Sequence, residues 1–445
     1  MEKTLIKPFF DILRSASLTL IGRIVAALLG LAVSIIIART YGPAMTGFLG
    51  IIGAAALLFA HPAAAGFHIA VLRFIPEYKT KYPNYPVRRI FNYVISFVLL
   101  MSLVSSLIFL SLEFIWSDFI KEDSIVFPNL GFLICLIIIL KATLLVSTNA
   151  LRAFGFDKIF AFFQTFTPIV NLIFLLVLIP IIGHLSTIYA LILSFFIPFI
   201  FAVILINLHK STSSRKGLDY KVKFGSLLKV SIPMMIAGYI GVLISQFGVL
   251  FLGASSSAIE VGLFVVAFKI SFIPAMAIKA VNAVIAPKIS KMYFSGETQN
   301  MFILCRLFTF GTSCFALIIF LLFFFYGEFI LGFAFGEEFI NAAPILVILL
   351  GAQLVNAMTG SSGELMQMTE SEKKHRDITI AGSIIYGIIA ILLIPNIGGM
   401  GLAIAILFSE LVLNALALFF IFVKFRQLPL IRISELKEFI SLRRS

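Results

Sequence analysis

The sequence predicts an all-α integral membrane protein with about twelve transmembrane helices, arranged as two parallel repeats of six. Three observations predict this fold class. The 445 residues are 61% hydrophobic and only 12% charged, whereas a soluble domain has about 45–50% apolar and about 25% charged residues. The apolar residues form continuous runs of about 20 residues, the length that spans a bilayer as a helix. A short segment of the first half also recurs in the second half.

The apolar runs define the predicted spans. Each run is bounded by charged or turn-forming residues and is continuous rather than alternating, which favours helices over barrel strands. The connections between the runs are short, so no large domain outside the membrane is predicted. The predicted spans cover residues 17–38, 45–71, 90–112, 125–151, 159–182, 185–207, 229–253, 261–286, 303–326, 340–367, 378–396 and 399–423.

The basic residues predict the orientation of the chain. Lys and Arg are retained on the cytoplasmic side of a membrane. With the N-terminus inside, 28 of the 34 basic residues fall in the tails, inner loops and adjoining helix ends. Both termini are therefore predicted to be cytoplasmic, in a plasma or inner membrane. The net charge of +13 follows from this asymmetry and from attraction to lipid headgroups, so no nucleic acid partner is expected.

An internal duplication relates the two halves at a constant offset in residue number. The segment 178–183 reads LIPIIG and the segment 393–398 reads LIPNIG, and Gly47 pairs with Gly262 in the same register. Because six spans is an even number, the two repeats enter the membrane in the same orientation. Transporters built from parallel repeats bind substrate at the interface between the repeats.

The duplication also predicts the domain organisation. Residues 1–208 are predicted to form an N-terminal lobe with spans 1 to 6. Residues 209–224 are predicted to form a basic cytoplasmic linker. Residues 225–445 are predicted to form a C-terminal lobe with spans 7 to 12 and a basic tail.

Six charged side chains fall within the predicted spans or near their inner ends. A charge inside a span costs about 2.5–3.5 kcal/mol even on lenient insertion scales, so each needs a partner or a water-filled cavity. The excess of positive charge predicts a cationic cavity that binds an anionic, phosphate-bearing substrate. These residues are Arg23, Lys141, Lys269, Lys279, Glu364 and Glu410.

Structural alternatives stay open for the basic residues. Arg23 and Lys141 either line the cavity or extend to the cytoplasmic headgroups. Lys269 and Lys279 differ by about 80° in direction around their helix, so both can face one groove. The alternative for Lys269 is a structural salt bridge with Glu410.

Three residues are candidates for coupling transport to an ion gradient. Glu410 lies in predicted span 12 and Glu364 near the inner end of predicted span 10, and the imidazole of His61 is expected to titrate near neutral pH. His61 and His68 are seven residues apart and are predicted to share one face of span 2. The structural alternative for His61 is a hydrogen bond between helices.

No motif for covalent chemistry is present in the sequence. It contains no P-loop, no HExxH, no CxxC and no GxSxG nucleophile elbow. We therefore predict no catalytic residue, no metal ligand and no cofactor.

A local pattern joins span 1 to span 2. It runs IIARTYGP over residues 36–43, with Arg39, Gly42 and Pro43 at its end, and a Leu-Arg-Ala-Phe-Gly turn follows at 151–155. In these residues the chain resembles the polysaccharide transporter, or lipid-linked oligosaccharide flippase, family of the multidrug/oligosaccharidyl-lipid/polysaccharide exporter superfamily. The resemblance covers the whole chain, and its motifs are strongest over positions 1–80.

The resemblance implies a fold and an activity. The fold is a V-shaped pair of six-helix lobes, as in multidrug (MATE) exporters. The activity is translocation of a polyprenyl-pyrophosphate-linked oligosaccharide to the outer leaflet by alternating access. Arg23, Lys269 and Lys279 occupy places comparable to the family's functional basic residues, whereas Lys141 and Glu410 match no family motif. Membrane lipids, a polysaccharide polymerase and glycosyltransferases are the implied partners.

Three other functional classes were weighed against the sequence. A drug or metabolite antiporter of the same superfamily would expel organic cations and should have an acidic cavity, whereas this one is predicted to be basic. A membrane enzyme that consumes the same lipid-linked sugar should have large outer loops with catalytic residues, and the predicted outer loops are shorter than 20 residues. A scaffold without transport would not require lysines within the membrane.

Overall fold

The structure is a computed structural model that describes residues 3–81, 86–112, 127–208 and 224–430, with side-chain environments from residue 22 onward. Within these ranges the backbone is helical apart from short turns, and no strand is present. The predicted all-α membrane fold is confirmed. The predicted linker lies outside the described residues, except for its last residue.

The described residues form twelve α-helices. Short 3₁₀ helices at Gly183–Leu185 and Glu337–Ala342 precede α6 and α10. The helices are α1 (Lys3–Ala63), α2 (Phe67–Lys81), α3 (Arg88–Ser111), α4 (Leu130–Ala153), α5 (Asp157–Ile182), α6 (Ser186–Leu208), α7 (Phe224–Ser255), α8 (Ala258–Phe294), α9 (Thr298–Phe335), α10 (Ala343–Thr359), α11 (Ser362–Met368) and α12 (Glu372–Phe425).

Nine helical stretches in the described ranges are long and apolar enough to cross a membrane. Three of them each cover two predicted spans and contain a glycine with positive φ between the two. These glycines are Gly42 within α1, Gly183 between α5 and α6, and Gly398 within α12. When the two sides of each glycine are counted separately, the stretches correspond to the twelve predicted spans.

Two predicted spans end earlier than the apolar pattern indicates. Span 2 was predicted to reach residue 71, but α1 ends at Ala63 because Ala65 and Gly66 have φ values of 46° and 73° and turn the chain into α2. Span 10 was predicted to reach residue 367, but α10 ends at Thr359 and Gly360 follows with a φ of 68°. Apolar residues continue across the first turn, so hydropathy does not locate it, whereas the second turn coincides with the polar segment at residues 359–364.

The duplication extends to the backbone conformation of the repeated segment. Gly183 has φ 58° and ψ −131°, and its counterpart Gly398 has φ 53° and ψ −133°. The preceding residues, Ile182 and Ile397, have φ −123° and −135° and ψ 9° and 19°. Glycine is required here because its positive φ carries a steric cost for other residues.

A second turn repeats in the same register. The N–H of Phe156 donates to the carbonyl of Leu151 at 3.0 Å, and at the equivalent positions of the second half the N–H of Ser371 donates to the carbonyl of Met366, also at 3.0 Å. Each turn contains one residue with positive φ. The helices that follow, α5 and α12, both begin with an acidic residue, which is favourable at a helix N-terminus.

The chain forms two compact units. The first consists of Met1–Tyr41 and Phe48–Ala254, and the second of Gly42–Gly47 and Ser255–Ser445. In the first unit, α4 packs against α2, α3, α5 and α6; in the second, α10 packs against α8, α9 and α12. The helices α4 and α10 are counterparts in the duplication, so equivalent helices are central to both units. The division into lobes at residues 208 and 225 remains a prediction. In the structure, α7 belongs to the first compact unit.

The second unit contains a crossing at which two repeat-related glycines meet. A Cβ on Gly47 would collide with the backbone of Ala258 and Gly262, and a Cβ on Gly262 would collide with the backbone of Pro43 and Gly47. Pro43 and Ala258 are themselves counterparts in the duplication, so the contacts are reciprocal. The two helices approach so closely only because neither position carries a side chain.

Candidate functional site

The helix α8 carries the two lysines that the sequence analysis assigned to a cationic cavity. It continues as one helix through Pro274, which lies between them. The side chains of Lys269 and Lys279 are both exposed. The Nζ atom of Lys279 lies 4.5 Å from the centroid of the Phe272 ring, within the range of about 6 Å that characterises a cation–π contact. The ring supports the ammonium group without neutralising its charge.

The third basic candidate, Lys141, points into the first unit. Its Nζ atom lies 3.5 Å from the carbonyl oxygen of Gly53 on α1 and 5.8 Å from the centroid of the Phe195 ring on α6. A carbonyl dipole and an aromatic face each stabilise a cation without cancelling it. The lysine is half-buried, so its charge is held among helices.

The fourth basic candidate, Arg23, lies on an exposed face of α1. Its neighbours Ile24 and Val25 are 42% and 39% exposed. Arg23 and Lys141 belong to the first compact unit, and the two lysines of α8 belong to the second. A joint cavity for the four residues remains a prediction.

The carboxylate of Glu410 takes part in a hydrogen-bond network within the second unit. The side-chain amide of Asn414 donates to Oε2 of Glu410 at 3.1 Å, and the Oδ1 atom of the same asparagine accepts from the hydroxyl of Thr359 at 2.6 Å. Thr359 is the last residue of α10. The network therefore connects an intramembrane carboxylate to the point where α10 ends.

More polar contacts gather around that helix end. Ser361 donates to Oδ1 of Asn282 on α8 at 2.6 Å, and Ser313 on α9 donates to the carbonyl of Ala357 at 3.1 Å. The sequence analysis did not identify this cluster, because Ser and Thr within helices usually bond to their own helix and give no pattern of their own. Glu364 lies just beyond, half-buried on α11.

The two histidines of predicted span 2 lie on different helices. His61 is in the last turn of α1 and His68 is near the start of α2, so the prediction that they share a face of one helix is wrong. Their rings are nevertheless in contact, with centroids 4.7 Å apart, and Tyr239 of α7 stacks on His61 at 6.4 Å. Among the residues described, no three His, Cys, Asp or Glu side chains form a group that could hold a metal.

The motif residues Arg39, Gly42 and Pro43 form the turn between the halves of α1. Arg39 is exposed and Pro43 is buried. Gly42 has φ 77°, and a Cβ at this position would lie 3.0 Å from Oε2 of Glu338. The glycine therefore has a conformational role, and the proline begins the next helical segment, where its missing N–H is not needed.

A carboxylate that the sequence analysis missed caps the second half of α12. Oε2 of Glu260 accepts a hydrogen bond of 2.8 Å from the N–H of Gly399, directly after the positive-φ Gly398. A carboxylate is favourable at a helix N-terminus because N–H groups there lack partners within the helix. The counterpart of Glu260 in the first half is Met45, so the duplication gives no signal for this cap.

The side chain of Arg306 has a structural contact that its position in the sequence does not reveal. It is only 5% exposed, and its Nε–H donates to the carbonyl of Leu428 at 3.0 Å. A second nitrogen of the guanidinium group lies 3.4 Å from Oε1 of Gln427. The sequence analysis did not single out Arg306, which holds the segment that follows α12.

Comparisons with solved structures identify the fold. An inward-facing multidrug resistance MATE family transporter of the MOP superfamily superposes with a TM-score of 0.69 at 13% identity, covering 91% of this chain and 97% of that one. Lipid II flippase MurJ, in an inward closed conformation, gives 0.66 at 15% identity over 91% and 87% of the two chains. The MATE multidrug transporter DinF-BH gives 0.61 at 16% identity over 93% and 95%.

Sequence comparison gives the family. No curated protein matches this chain. The family described as "Polysaccharide biosynthesis protein" matches residues 12–293, which is more than half of the chain and includes the motif of residues 36–43 and both lysines of α8. The chain is therefore a multi-pass membrane protein of the polysaccharide biosynthesis family, with the fold of the MATE and MurJ transporters.

Proposed function

We propose that this protein is a flippase for a polyprenyl-pyrophosphate-linked oligosaccharide, which it moves from the inner to the outer leaflet by alternating access. The observation that carries the proposal is the set of basic side chains on apolar helices of a polysaccharide biosynthesis family member. Two exposed lysines on α8 and one lysine held by a carbonyl and a ring supply positive charge at membrane depth. Pyrophosphate is a strong partner for such charges.

The proposed mechanism divides the substrate between two environments. The pyrophosphate and sugars enter a polar path from the inner leaflet, where Arg23, Lys269 and Lys279 bind the phosphate oxygens and Lys141 adds positive charge. The polyprenyl chain stays in the bilayer. Translocation requires that the substrate be released as well as bound. A basic side chain that remains exposed can exchange the phosphate for water and so release it.

Ion coupling belongs to the same proposal. Glu410 is the favoured coupling group because its carboxylate is hydrogen-bonded through Asn414 to the end of α10, so a change in its charge would act on a helix end. Glu364 and His61 are the other candidates. A flipping rate that is independent of pH and of sodium would exclude this part of the proposal.

The proposed setting is a plasma or inner membrane with both termini in the cytoplasm, and glycosyltransferases and a polysaccharide polymerase as functional partners. The protein itself is proposed to be a transporter rather than an enzyme. A drug or metabolite antiporter is the alternative, since the structural neighbours include multidrug transporters of the MATE family. Cysteines introduced near residues 210 and 440 should react with impermeant reagents only from the cytoplasmic side.

The test is a flipping assay in proteoliposomes with a short polyprenyl-pyrophosphate oligosaccharide. Substitution of Lys269 and Lys279 together by Ala should reduce the flipping rate by at least tenfold, equivalent to about 1.4 kcal/mol in activation free energy. The matched control is Lys288→Ala with Lys291→Ala, which removes the same charge from exposed positions further along α8. Undiminished flipping by the first variant would contradict the assignment. Efflux of an organic cation by a wild type that flips no lipid would favour the antiporter.

A further inference from the structure

Four phenylalanine rings from two neighbouring helices of the first unit form one aromatic cluster. Phe162, Phe163 and Phe166 lie on α5, and Phe201 lies on α6. The ring of Phe166 contacts the other three, with centroid distances of 5.2, 5.7 and 5.8 Å, and the rings of Phe163 and Phe201 stack at 5.8 Å. Phe163 is only 3% exposed, whereas Phe162 and Phe201 are 48% and 41% exposed. The aromatic cluster therefore has a fixed base in the core and an open outer face.

The aromatic cluster lies at the depth of one leaflet. α5 begins at Asp157 and α6 ends at Leu208, and both ends are predicted to be cytoplasmic. At about 1.5 Å per residue, Phe162 and Phe166 lie about 7.5 Å and about 13.5 Å from the start of α5, and Phe201 lies about 10.5 Å from the end of α6. Aromatic residues at the membrane surface are mainly Trp and Tyr, whose polar atoms reach water. Four phenylalanines at this depth are instead suited to contact hydrocarbon.

A basic residue of the proposed substrate path lies at the same level. Arg23 directly follows Gly22 on α1. A Cβ on this glycine would lie 2.9 Å from the carbonyl oxygen of Ala161 and 3.7 Å from Cβ of Gln164, so α1 crosses α5 in close contact beside the aromatic cluster. Arg23 is exposed, and a guanidinium group is a strong partner for phosphate oxygens. An anion-binding side chain and an aromatic surface therefore lie at one level of the same unit.

The second half of the chain provides an internal comparison, because it repeats these helices. A lipid-facing surface at the repeated positions contains no aromatic ring, so contact with the membrane does not by itself require one. The basic residue is also missing there. In the register of the duplication, the four rings correspond to Asp377, Ile378, Ala381 and Leu416, and Arg23 corresponds to Gly238. The rings and the arginine thus occur together in one half, as expected if they bind one ligand.

The aromatic cluster suits an isoprenoid chain better than a straight acyl chain. Within a bilayer an apolar surface gains nothing from leaving water, because lipid tails are as apolar as the side chains. Selective binding depends instead on close packing, since dispersion contacts add up over surfaces that match in shape. Each isoprene unit carries a flat double bond and a methyl branch, and flat groups pack well on aromatic faces. A saturated acyl chain is flexible and has no flat group.

We propose that the aromatic cluster binds the first isoprene units of the polyprenyl carrier, while Arg23 binds the pyrophosphate to which they are attached. This inference rests on the proposed flippase function and specifies where the lipid part of its substrate is recognised. The rest of the polyprenyl chain stays in the bilayer. Recognition at the junction of lipid and pyrophosphate is independent of the sugars that the carrier bears.

The first test is photo-crosslinking of the whole protein in proteoliposomes. The probe is a polyprenyl pyrophosphate with a diazirine on an isoprene unit near the pyrophosphate. Mass spectrometry should locate the label around Phe162 and Phe201, and excess unlabelled polyprenyl pyrophosphate should remove it, whereas excess phosphatidylglycerol should not. Label that is spread over the lipid-facing helices of both halves would overturn the proposal, as would label that phosphatidylglycerol removes equally well.

The second test replaces the three cluster rings that are not buried by leucine, which keeps the surface apolar and removes the aromatic faces. The mole fraction of probe that gives half-maximal labelling should rise by at least about tenfold, because contacts with each ring contribute beyond the area that they bury. Unchanged half-maximal labelling would overturn the proposal. The crosslinking pattern of the wild type keeps the test valid if the triple variant does not fold. The replaced residues are Phe162, Phe166 and Phe201.

The matched control replaces three exposed phenylalanines of α9 by leucine, and it should be labelled like the wild type. An equal loss of labelling in the control would overturn the proposal, since any apolar aromatic surface would then serve. The residues are Phe324, Phe325 and Phe329, which are 55%, 70% and 71% exposed.

The crosslinking and flipping assays separate this proposal from the flippase function. A wild type that flips the lipid-linked oligosaccharide but is labelled diffusely would overturn the binding site and leave the function supported. A wild type that flips no lipid but shows label at the aromatic cluster, removed only by polyprenyl pyrophosphate, would contradict the function and support the binding site.

Discussion

The first and second halves of the chain place different chemistry at equivalent positions of their central helices. In the first half, α4 is continuous, and its Lys141 lies near the ring of Phe195. In the repeat register the same two positions are Asn356 on α10 and Glu410 on α12, and α10 ends nearby, at Thr359. The two halves thus share two turns and the packing around a central helix, while the interior of one half contains a cation and that of the other a carboxylate network. Substitutions at the positions that the two halves share therefore test the fold, and substitutions at the positions that differ test the proposed function.

The largest expected effect concerns the feature that the two halves share most closely. Gly47→Ala and Gly262→Ala should each lower the stability by roughly 1–3 kcal/mol, because each Cβ meets backbone atoms of the other helix that cannot rotate away. The reciprocal contacts predict that the two losses are similar. The measurement is the unfolding temperature in detergent.

The control for the glycine crossing is Gly387→Ala in α12. A Cβ at this position meets no atom within 4 Å, so the variant should be at least as stable as the wild type. If only one of the two crossing variants is destabilised, the reciprocity of the contact is refuted.

The next effect concerns a feature of the second half alone. Asn414→Leu should destabilise the protein by about 1–3 kcal/mol, because it removes the partner of both Glu410 and Thr359. Asn396→Leu on the same helix is the control, since that exposed asparagine bonds only to a carbonyl of its own helix. Equal thermal stability of the two variants would show that the network does not contribute to the stability of the fold.

A smaller effect is expected at the turn that the two halves share in backbone but not in capping. Glu260→Ala should cost about 1 kcal/mol, the usual cost of removing a side-chain acceptor from a helix N-terminus. Glu260→Gln keeps an acceptor for the N–H of Gly399 and should recover most of that loss. Chemical unfolding of both variants measures the difference, and an alanine variant as stable as the glutamine variant would count against the cap.

The smallest effect on stability is expected at Lys141. Replacement of a buried charge by an apolar side chain of similar length often leaves the stability unchanged. Lys141→Met should therefore change the unfolding free energy by less than about 1 kcal/mol. The rate of flipping by the same variant should fall. A variant that is destabilised but flips substrate at the normal rate would show that Lys141 has a structural role, like that of the network around Glu410, and no role in transport.

The sequence was sufficient to predict the helices and the register of the duplication, because both depend on local signals. Continuous apolar runs of bilayer length predicted the spans. The repeated LIPxIG segment predicted a turn whose backbone angles in fact agree in both halves. Gly42 was singled out as part of a motif, and its positive φ explains why glycine is needed there.

Other features depend on contacts between distant segments and leave no local signal. The cap on Gly399 comes from Glu260, 139 residues earlier, and the carbonyl that Arg306 holds is 122 residues later. Apolar composition runs unchanged through the turn at Ala65, so it could not indicate where α1 ends. The hydrogen bond between Thr359 on α10 and Asn414 on α12 was missed for the same reason, because the two residues lie on separate helices.

The glycine crossing also has the reciprocity of contacts related by a two-fold axis. In an interface with two-fold symmetry, residue i of one subunit contacts residue j of the other, and j contacts i in return. The contacts of Gly47 with Ala258 and of Gly262 with Pro43 follow this rule in the register of the duplication. Within the second unit, the two glycines and the residues they meet are therefore related by a local two-fold axis.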